Sequence, residues 1–318
     1  MKDKKIVVIG GGTGLSTLLG GLKIYTKNIT AVVTVTDDGG SSGRLRKDFG
    51  MLPPGDVRNC VSALAQSDTA LQKLMNYRFK EGSLKGHSVG NLTLAALNEM
   101  SDSFEDAVVK FNNLMGVVGI VYPVTNENVI LNAELFDGTV VKGESNIGTY
   151  REGDMKEIKR LFMTPQNPCP VSSVIKAIDE ADIIVIGPGS LYTSIIPNLL
   201  VNGVSDAIHN SKAKKIYVCN IMTQPGETDN YTASKHLSEI EKYSYENIAD
   251  AIIINNAQLP SDLSEKYSDQ NAYPVIADTE NLHGKTVVLE DNLVLVNNEK
   301  IRHNFMNLAR MIMYFGDR

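Results

Sequence analysis

A short apolar strand followed at once by a glycine-rich turn is the feature that most constrains how this chain folds. Residues 5–9 (KIVVI) form the continuous apolar run of a buried parallel strand. Gly10-Gly11-Gly12-Thr13-Gly14, the first glycine turn, follows it. Leucines on one helical face then predict a helix over 13–24, and AVVTVT predicts a strand over 31–36. Together these elements predict a βαβ unit with a right-handed crossover.

Periodicity along the rest of the chain extends this pattern. A polar, glycine- and proline-rich loop is predicted over 37–55, and a β-hairpin turn at Asp137-Gly138. The further helices are predicted over 56–66, 69–79, 91–100, 104–114, 171–178 and 301–315, and the strands over 117–122, 129–134, 139–142, 183–186, 215–219 and 251–254. The fold class is therefore α/β, with a Rossmann-like, doubly wound and mostly parallel sheet. We expect a single domain over 1–318, with a small β-rich insertion or extension at about 117–160 and a C-terminal helix at about 301–315.

Composition and charge narrow the function classes. The formal charge is −6, which argues against nonspecific binding to nucleic acid or to acidic membranes. No apolar stretch approaches the ~18 residues of a membrane-spanning helix, and the N-terminus lacks the pattern of a signal peptide. Three cysteines lie far apart in the sequence, which is typical of reduced thiols. We therefore expect a cytoplasmic protein with no membrane insertion and no nucleic-acid partner.

Two glycine turns are candidates for phosphate binding. A glycine turn between a strand and a helix lets backbone N–H groups approach a phosphate at the positive end of the helix. The residues of the first glycine turn expected to serve are Gly11, Gly12, Thr13 and Gly14. Leu15 stands where the dinucleotide fingerprint needs its third glycine, so an NAD-type oxidoreductase is the weakest alternative. The second glycine turn, residues 187–190, offers Gly187, Gly189 and Ser190, with Ser194 one helical turn later.

Polar residues near the ends of the predicted strands are further candidates. Asp37 and Asp38 suit a ribose hydroxyl or a metal ion, although Asp-Asp-Gly-Gly also suits a simple turn. His87, between two glycines, suits an acid, a base or a phosphate partner, whereas the isolated histidines, His303 among them, are expected in structural roles. Asp56 is expected as a helix N-cap or first-turn acid, and Asn91 as an N-cap. The remaining candidates are polar groups suited to an anion, a base or a sugar: Ser41, Ser42, Arg44, Asn59, Asn91, Asn220, Gln224 and Thr228.

Six segments, taken together and in order, resemble the YvcK/CofD-like family, and most closely its branch of bacterial gluconeogenesis factors. The matching residues are 10–14, 37–43, 54–59, 86–91, 187–197 and 224–228. The resemblance implies a Rossmann-like core that binds a uridine nucleotide sugar, notably UDP-N-acetylglucosamine. It also implies a regulator of cell shape and of growth on gluconeogenic carbon sources, with no established catalysis and no required cofactor.

The same resemblance assigns two more ligand-binding residues and the partners. Tyr267 is expected to stack on the base or sugar, and Arg302, at the start of the predicted last helix, to pair with the diphosphate. The resemblance implies a protein partner in cell-wall synthesis, and base rates of assembly allow a homodimer. The alternative is the other branch of the family, a 2-phospho-L-lactate transferase-like enzyme that uses a nucleotide-activated donor. In that alternative Asp38 holds Mg²⁺.

Overall fold

The apolar runs of the sequence become the strands of one parallel sheet. The computed structural model describes residues 3–66, 70–148, 157–282, 286–297 and 299–317. The strands of the main sheet are β1 (Ile6–Gly10), β2 (Ile29–Val33), β3 (Ile120–Pro123), β7 (Ile183–Ile186), β8 (Lys214–Val218), β9 (Ala251–Asn255) and β10 (Val287–Asp291). Their order is β10-β9-β8-β7-β1-β2-β3, and each neighbouring pair is parallel. The predicted doubly wound α/β class is confirmed.

Strand β1 lies where the path of the chain through this sheet reverses. The chain adds β2 and β3 on one side of β1, and returns to place β7, β8, β9 and β10 on the other side. Ile6, Val8 and Ile9 are fully buried, because both faces of the strand are covered. In open α/β sheets, ligands bind beyond the carboxyl ends of the strands at such a reversal point. Both glycine turns leave the sheet there, after β1 and after β7.

A second, antiparallel sheet accounts for most of the β-rich segment. Its strands are β4 (Ile130–Leu135), β5 (Val140–Lys142) and β6 (Ile158–Thr164), in the order β5-β4-β6. The predicted turn is present, since Gly138 has φ +85° and Asp137 Oδ1 accepts a hydrogen bond from the N–H of Thr139 at 3.0 Å. The strand predicted over 117–122 belongs elsewhere. It is β3, which pairs with β2 in the main sheet and buries Val121 completely.

Helices cover both faces of the main sheet. Their bounds are α1 (Gly12–Leu22), α2 (Gly40–Phe49), α3 (Gly55–Leu64), α4 (Ala70–Asn76), α5 (Val89–Glu99), α6 (Phe104–Met115), α7 (Glu144–Ile147), α8 (Ser172–Asp179), α9 (Ile196–Leu199), α10 (Val204–Asn210), α11 (Ala233–Lys242), α12 (Ser261–Ser268) and α13 (Phe305–Gly316). A π-helical turn, Leu191–Ile195, precedes α9, and a 3₁₀ turn spans Thr279–Asn281. Within the described ranges, none of the helices combines the length and the apolar character needed to cross a bilayer.

The prediction of a loop over 37–55 was wrong in its middle, where α2 forms. Glycine and serine have low helix propensity, so the local sequence gives little sign of this helix. Burial supplies the missing stability, because Leu45, Ser41 and Ser42 are each less than a tenth exposed. Gly50 then ends the helix in a left-handed conformation, with φ +66°.

The C-terminal segment also differs from its prediction. Residues 301–303, expected in the last helix, belong to β12 (Lys300–His303), which forms an antiparallel hairpin with β11 (Val294–Asn297). The helix α13 begins after Asn304, whose Oδ1 accepts a hydrogen bond from the N–H of Asn307 at 3.2 Å. Helix α13 then packs on α1 so closely that a Cβ on Gly21 would lie 2.5 Å from the carbonyl oxygen of Phe305.

Candidate functional site

The first glycine turn brings α1 to the edge of a cavity. Gly12 has φ +66°, a conformation that a residue with a side chain adopts only under strain. Helix α1 begins at this residue, so its first N–H groups have no partner within the helix. A Cβ on Gly14 would lie 2.7 Å from the carbonyl oxygen of Pro188. The turn is therefore in direct contact with the second glycine turn.

The second glycine turn has an equally unusual backbone. Gly187 has φ +82°, and the Gly187-Pro188 peptide bond is cis. The chain then forms the π-helical turn Leu191–Ile195 in place of an ordinary α-helical start. Single π-helical turns occur preferentially at functional sites. A Cβ on Gly189 would lie 3.3 Å from the carbonyl oxygen of Gly11, so both turns approach each other through backbone alone.

These two turns line one cavity of about 450 Å³, referred to below as the ligand cavity. The rest of the lining comes mainly from the loop after β8, from α12 and from β12. The predicted site residues that line it are Gly11, Gly12, Thr13, Gly14, Gly189, Ser190, Ser194, Asn220, Gln224, Tyr267 and Arg302. The predicted site residues outside this lining are Gly187, Thr228, Asp37, Asp38, Ser41, Ser42, Arg44, Asn59, His87 and Asn91.

Tyr267 and Arg302 reach the ligand cavity from neighbouring elements. Tyr267 lies near the end of α12, and its hydroxyl accepts a hydrogen bond from the N–H of Ile301 at 3.0 Å. Arg302 follows on β12, opposite Leu295. The predicted position of Arg302 at the start of the last helix was therefore wrong, since the residue lies on a strand. Tyr267 holds this strand, and so Arg302, against the cavity.

Hydrogen bonds shape the loop that follows β8. Gln224 donates through Nε2 to Ser190 Oγ at 2.7 Å, and its own N–H donates to Thr228 Oγ1 at 2.9 Å. Thr228 is fully buried, so it fixes the loop rather than lining the cavity. Gln224 thereby connects the loop after β8 to the second glycine turn.

Helix α2 contributes Ser41 and Arg44 to a hydrogen-bonded network that also contains His87 and Asn91. His87 Nε2 accepts a hydrogen bond from Arg44 Nε at 3.1 Å, and Nδ1 lies 2.9 Å from Ser41 Oγ. Burial, with a contribution from the positive charge of Arg44, lowers the pKa of His87. The neutral ring with its proton on Nδ1 therefore donates to Ser41 Oγ, which also accepts from Asn91 Nδ2 at 3.0 Å.

The same network shows the role of Asn91, which was predicted as a helix N-cap. Asn91 is not the N-cap of α5, because its N–H donates to Ser88 Oγ at 3.2 Å and Ser88 is the capping residue. Asn91 instead holds Arg58, whose Nε donates to Asn91 Oδ1 at 3.3 Å. Ser42 Oγ accepts from the N–H of Gly55 at 3.1 Å, which ties α2 to the start of α3.

Five carboxylates lie close together, and one of them adjoins the first glycine turn. This carboxylate cluster comprises Asp37, Asp38, Asp56, Glu144 and Glu227. A Cβ on Gly11 would lie 2.8 Å from Asp56 Oδ2. Burial, and then the charge of Asp37, raise the pKa of Asp56 to about 6. Burial, followed by the charges of the other four carboxylates, raises the pKa of Glu144 to about 8.

The cluster joins the small sheet to the core of the molecule. Asp38 Oδ1 accepts a hydrogen bond from the N–H of Ser145 in α7 at 2.9 Å, and Asp37 Oδ1 accepts from the N–H of Gly39 at 2.9 Å. Of the two roles predicted for Asp56, the structure shows the first-turn acid of α3, because Pro54 occupies the N-cap position. In the part of the chain that the structure describes, no group of three or more His, Cys, Asp or Glu side chains could hold a metal ion.

Sequence reasoning missed several residues of the site. Gln270 and His303 line the ligand cavity, and Glu144 joins the carboxylate cluster. His303 was expected in a structural role because no neighbouring motif marked it. Its position directly after Arg302 is the one signal that could have identified it.

Comparisons with known proteins show which proteins this chain resembles. The family described as 2-phospho-L-lactate transferase CofD matches residues 6–294. A putative gluconeogenesis factor from Thermoanaerobacterium thermosulfurigenes is 50% identical, over 98% of this chain and 97% of the relative. The gluconeogenesis factor from Bacillus subtilis is 44% identical, over 97% of each chain.

A solved structure supports the same relationship at the level of the fold. The crystal structure of a member of the UPF0052 family from Bacillus halodurans superposes with a TM-score of 0.93 at 45% sequence identity. The superposition covers 98% of this chain and 99% of that chain.

Proposed function

This chain belongs to the CofD family and, within it, to the gluconeogenesis factors, and from that premise we propose that it is a regulator that binds UDP-N-acetylglucosamine. Binding of this cell-wall precursor reports its supply and changes the interaction with a protein partner in cell-wall synthesis. Through that interaction the protein supports cell shape and growth on gluconeogenic carbon sources. The regulator acts in the cytoplasm, where nucleotide sugars are made and used.

The observation that carries the proposal is that both glycine turns line one cavity together with Tyr267 and Arg302. Backbone N–H groups at the start of α1 suit one phosphate, and the second glycine turn, which is in contact with the first, suits its neighbour. A diphosphate matches this pair of adjacent backbone sites better than a single phosphate does. The volume of about 450 Å³ lies in the usual range of small-molecule sites.

Tyr267 and Arg302 supply the contacts that the backbone lacks. The guanidinium of Arg302 can donate two parallel hydrogen bonds to a phosphate oxygen pair. Within the described residues Arg302 forms no ion pair, and its side chain borders both the ligand cavity and a smaller cleft lined by Lys266 and Lys300. The ring of Tyr267 offers a face for a uracil or a sugar, while its hydroxyl is held by Ile301.

Thermal unfolding of the purified protein tests the proposal. UDP-N-acetylglucosamine at 100 times its dissociation constant adds about 2.7 kcal/mol to the free energy of unfolding, so the melting temperature rises. Arg302→Ala abolishes most of this rise, whereas Arg310→Ala, a surface arginine on α13 paired with Asp291, retains it. Equal stabilisation of Arg302→Ala and wild type contradicts the assignment of the cavity. GTP with Mg²⁺ and NADH, tested separately, are expected to leave the melting temperature unchanged.

A transferase is the second candidate, and the carboxylate cluster is the observation that favours it. A carboxylate beside a phosphate-binding turn can act as the general base that takes the proton from an acceptor hydroxyl. Asp56 adjoins Gly11 directly. The family match to a 2-phospho-L-lactate transferase agrees with such an activity. Product formed from a nucleotide-activated phospholactate and a deazaflavin acceptor supports the transferase. No product after long incubation, with nucleotide binding intact, supports the regulator.

A further inference from the structure

His303 is held in one orientation at the wall of the ligand cavity. Its Nε2 lies 3.1 Å from the carbonyl oxygen of Cys219, the residue that directly follows β8. A carbonyl oxygen only accepts hydrogen bonds, so Nε2 carries the proton and donates. The ring therefore bridges β12 to the carboxyl end of β8 and has a single defined tautomer.

This tautomer also determines the state of the other ring nitrogen, Nδ1. Burial lowers the pKa of His303 to about 4, so the ring is neutral near pH 7. A neutral imidazole that donates through Nε2 has a lone pair at Nδ1 and is an acceptor there. No described residue forms a hydrogen bond to Nδ1, and His303 lines the ligand cavity beside Tyr267 and Asn220.

The position of His303 relative to the phosphate sites indicates which part of a ligand it meets. The glycine turns line the cavity together with His303, Tyr267 and Asn220, which come from β12, from α12 and from the loop after β8. The proposed function puts the diphosphate on the glycine turns and the base or sugar on Tyr267, and we take the nucleoside as the portion that lies near Tyr267 and His303. An acceptor at this place is complementary to a hydrogen-bond donor on that nucleoside.

We propose that Nδ1 of His303 accepts a hydrogen bond from the nucleoside of the bound ligand, either from a ribose hydroxyl or from the imide N–H of the base. His303 is thereby a specificity-determining residue, because a nucleoside that lacks this donor leaves a desolvated acceptor without a partner. The inference rests on the proposed function, since it places a nucleotide in this cavity.

Binding of UDP analogues to the full-length protein, measured by calorimetry, tests the inference. The probes are UDP, 2′-deoxy-UDP, 3′-deoxy-UDP and N3-methyl-UDP. We expect one analogue to bind wild type about tenfold more weakly than UDP, the effect of one lost hydrogen bond. Loss with a deoxy analogue identifies a ribose hydroxyl as the donor, and loss with the N3-methyl analogue identifies the imide.

Two variants separate the ligand contact from the structural role of the ring. His303→Gln places an amide near the position of Nε2, which retains a donor for the Cys219 carbonyl but removes the acceptor. We expect this variant to bind UDP and the affected analogue with equal affinity. His303→Asn places a polar atom near the position of Nδ1 and gives up the contact with Cys219. We expect it to keep the preference for UDP with a lower melting temperature.

Each failure has its own meaning. If folded wild type binds neither UDP nor UDP-N-acetylglucosamine, the proposed function itself is wrong. If wild type binds UDP and all three analogues equally, only the role of His303 is wrong. An identical loss of affinity in wild type and in His303→Gln also overturns the role of His303. The analogue series on wild type decides the matter even if a variant fails to fold.

Discussion

Asn198 donates its side-chain amide to the carbonyl oxygen of Gly10, with a distance of 3.1 Å between Nδ2 and that oxygen. The same nitrogen lies 2.8 Å from the carbonyl oxygen of Ser194. Gly10 ends β1 and begins the first glycine turn, whereas Ser194 belongs to the π-helical turn that follows the second. A single, fully buried side chain therefore connects the two backbone segments that carry the glycine turns of the cavity.

Removing this amide is expected to cost both stability and ligand binding. Asn198→Ala leaves a buried carbonyl oxygen with one fewer donor and a small void, a loss of about 1–3 kcal/mol in the free energy of unfolding. Urea unfolding measures this loss, and the melting-temperature rise with UDP-N-acetylglucosamine is expected to shrink. The control is Asn210→Ala, an exposed asparagine at the end of α10, which should change neither quantity.

Gly14 and Gly20 give a matched pair within one helix. A Cβ on Gly14 would lie 2.7 Å from the carbonyl oxygen of Pro188, so Gly14→Ala pushes the two glycine turns apart. We expect a lower melting temperature and weaker binding of UDP-N-acetylglucosamine. A Cβ on Gly20 meets no atom within 4 Å, so Gly20→Ala should stabilise α1 by up to about 1 kcal/mol with unchanged binding. Similar binding losses in both variants would contradict the close contact of the turns.

Tyr267 should separate the role of its ring from that of its hydroxyl. Tyr267→Phe removes the acceptor for the N–H of Ile301 but keeps the aromatic face. We expect it to lower the melting temperature slightly, with affinity for UDP-N-acetylglucosamine within about threefold of wild type. Tyr267→Ala removes the stacking face, with an expected loss of about tenfold or more. Calorimetric titration distinguishes the two, and equal losses would assign the effect to the position of β12 instead of stacking.

The carboxylate cluster predicts that stability falls as the pH rises. The folded-state pKa of Glu144, about 8, exceeds its ordinary value of 4.5, so between these pH values the folded protein binds more protons than the unfolded chain. Unfolding in this interval therefore releases a proton. Because a higher pH favours proton release, the free energy of unfolding decreases from about pH 4.5 to about pH 8. Asp56 adds the same trend between 3.8 and about 6.

Chemical denaturation at pH 5, 6, 7 and 8 provides the measurement. Glu144→Gln should flatten the decline, because the neutral amide removes the group that titrates in this interval. Glu246→Gln, an exposed glutamate outside the cluster, should leave the slope unchanged. A slope that is the same in wild type and in Glu144→Gln would show that other groups control the pH dependence.

Local sequence was sufficient for the elements that are apolar and buried on both faces. The strand over 183–186 was predicted with its observed bounds, and the first strand and glycine turn lie where expected. Helix α2 could not be predicted, because its stability comes from burying Leu45 and two serines against the rest of the fold. The strand at 301–303 was not predicted for a related reason, since it is stabilised by pairing with β11 and not by its local pattern of apolar residues.

The same distinction applies to the candidate site. Backbone sites such as Gly11 and Gly189 carry their signal in a few adjacent residues, so they were predictable. Whether residues share a cavity depends on contacts between distant parts of the chain. Local sequence therefore could not predict that Gln270 and His303 line the cavity, or that Ser41 lies outside its lining. The carboxylate cluster brings together side chains from separate parts of the chain, and the sequence around Glu144 does not indicate that this residue is largely buried.

The distance along the chain between the residues that line the cavity has a consequence for biosynthesis. The cavity combines a turn that follows β1 with β12, near the other end of the described chain. During synthesis on the ribosome, the first glycine turn is made early. The residues of β12 that complete the lining of the cavity are made only after almost all the others. A nascent chain therefore cannot form the complete cavity until synthesis has passed His303, and only then can a ligand of this cavity stabilise the finished fold.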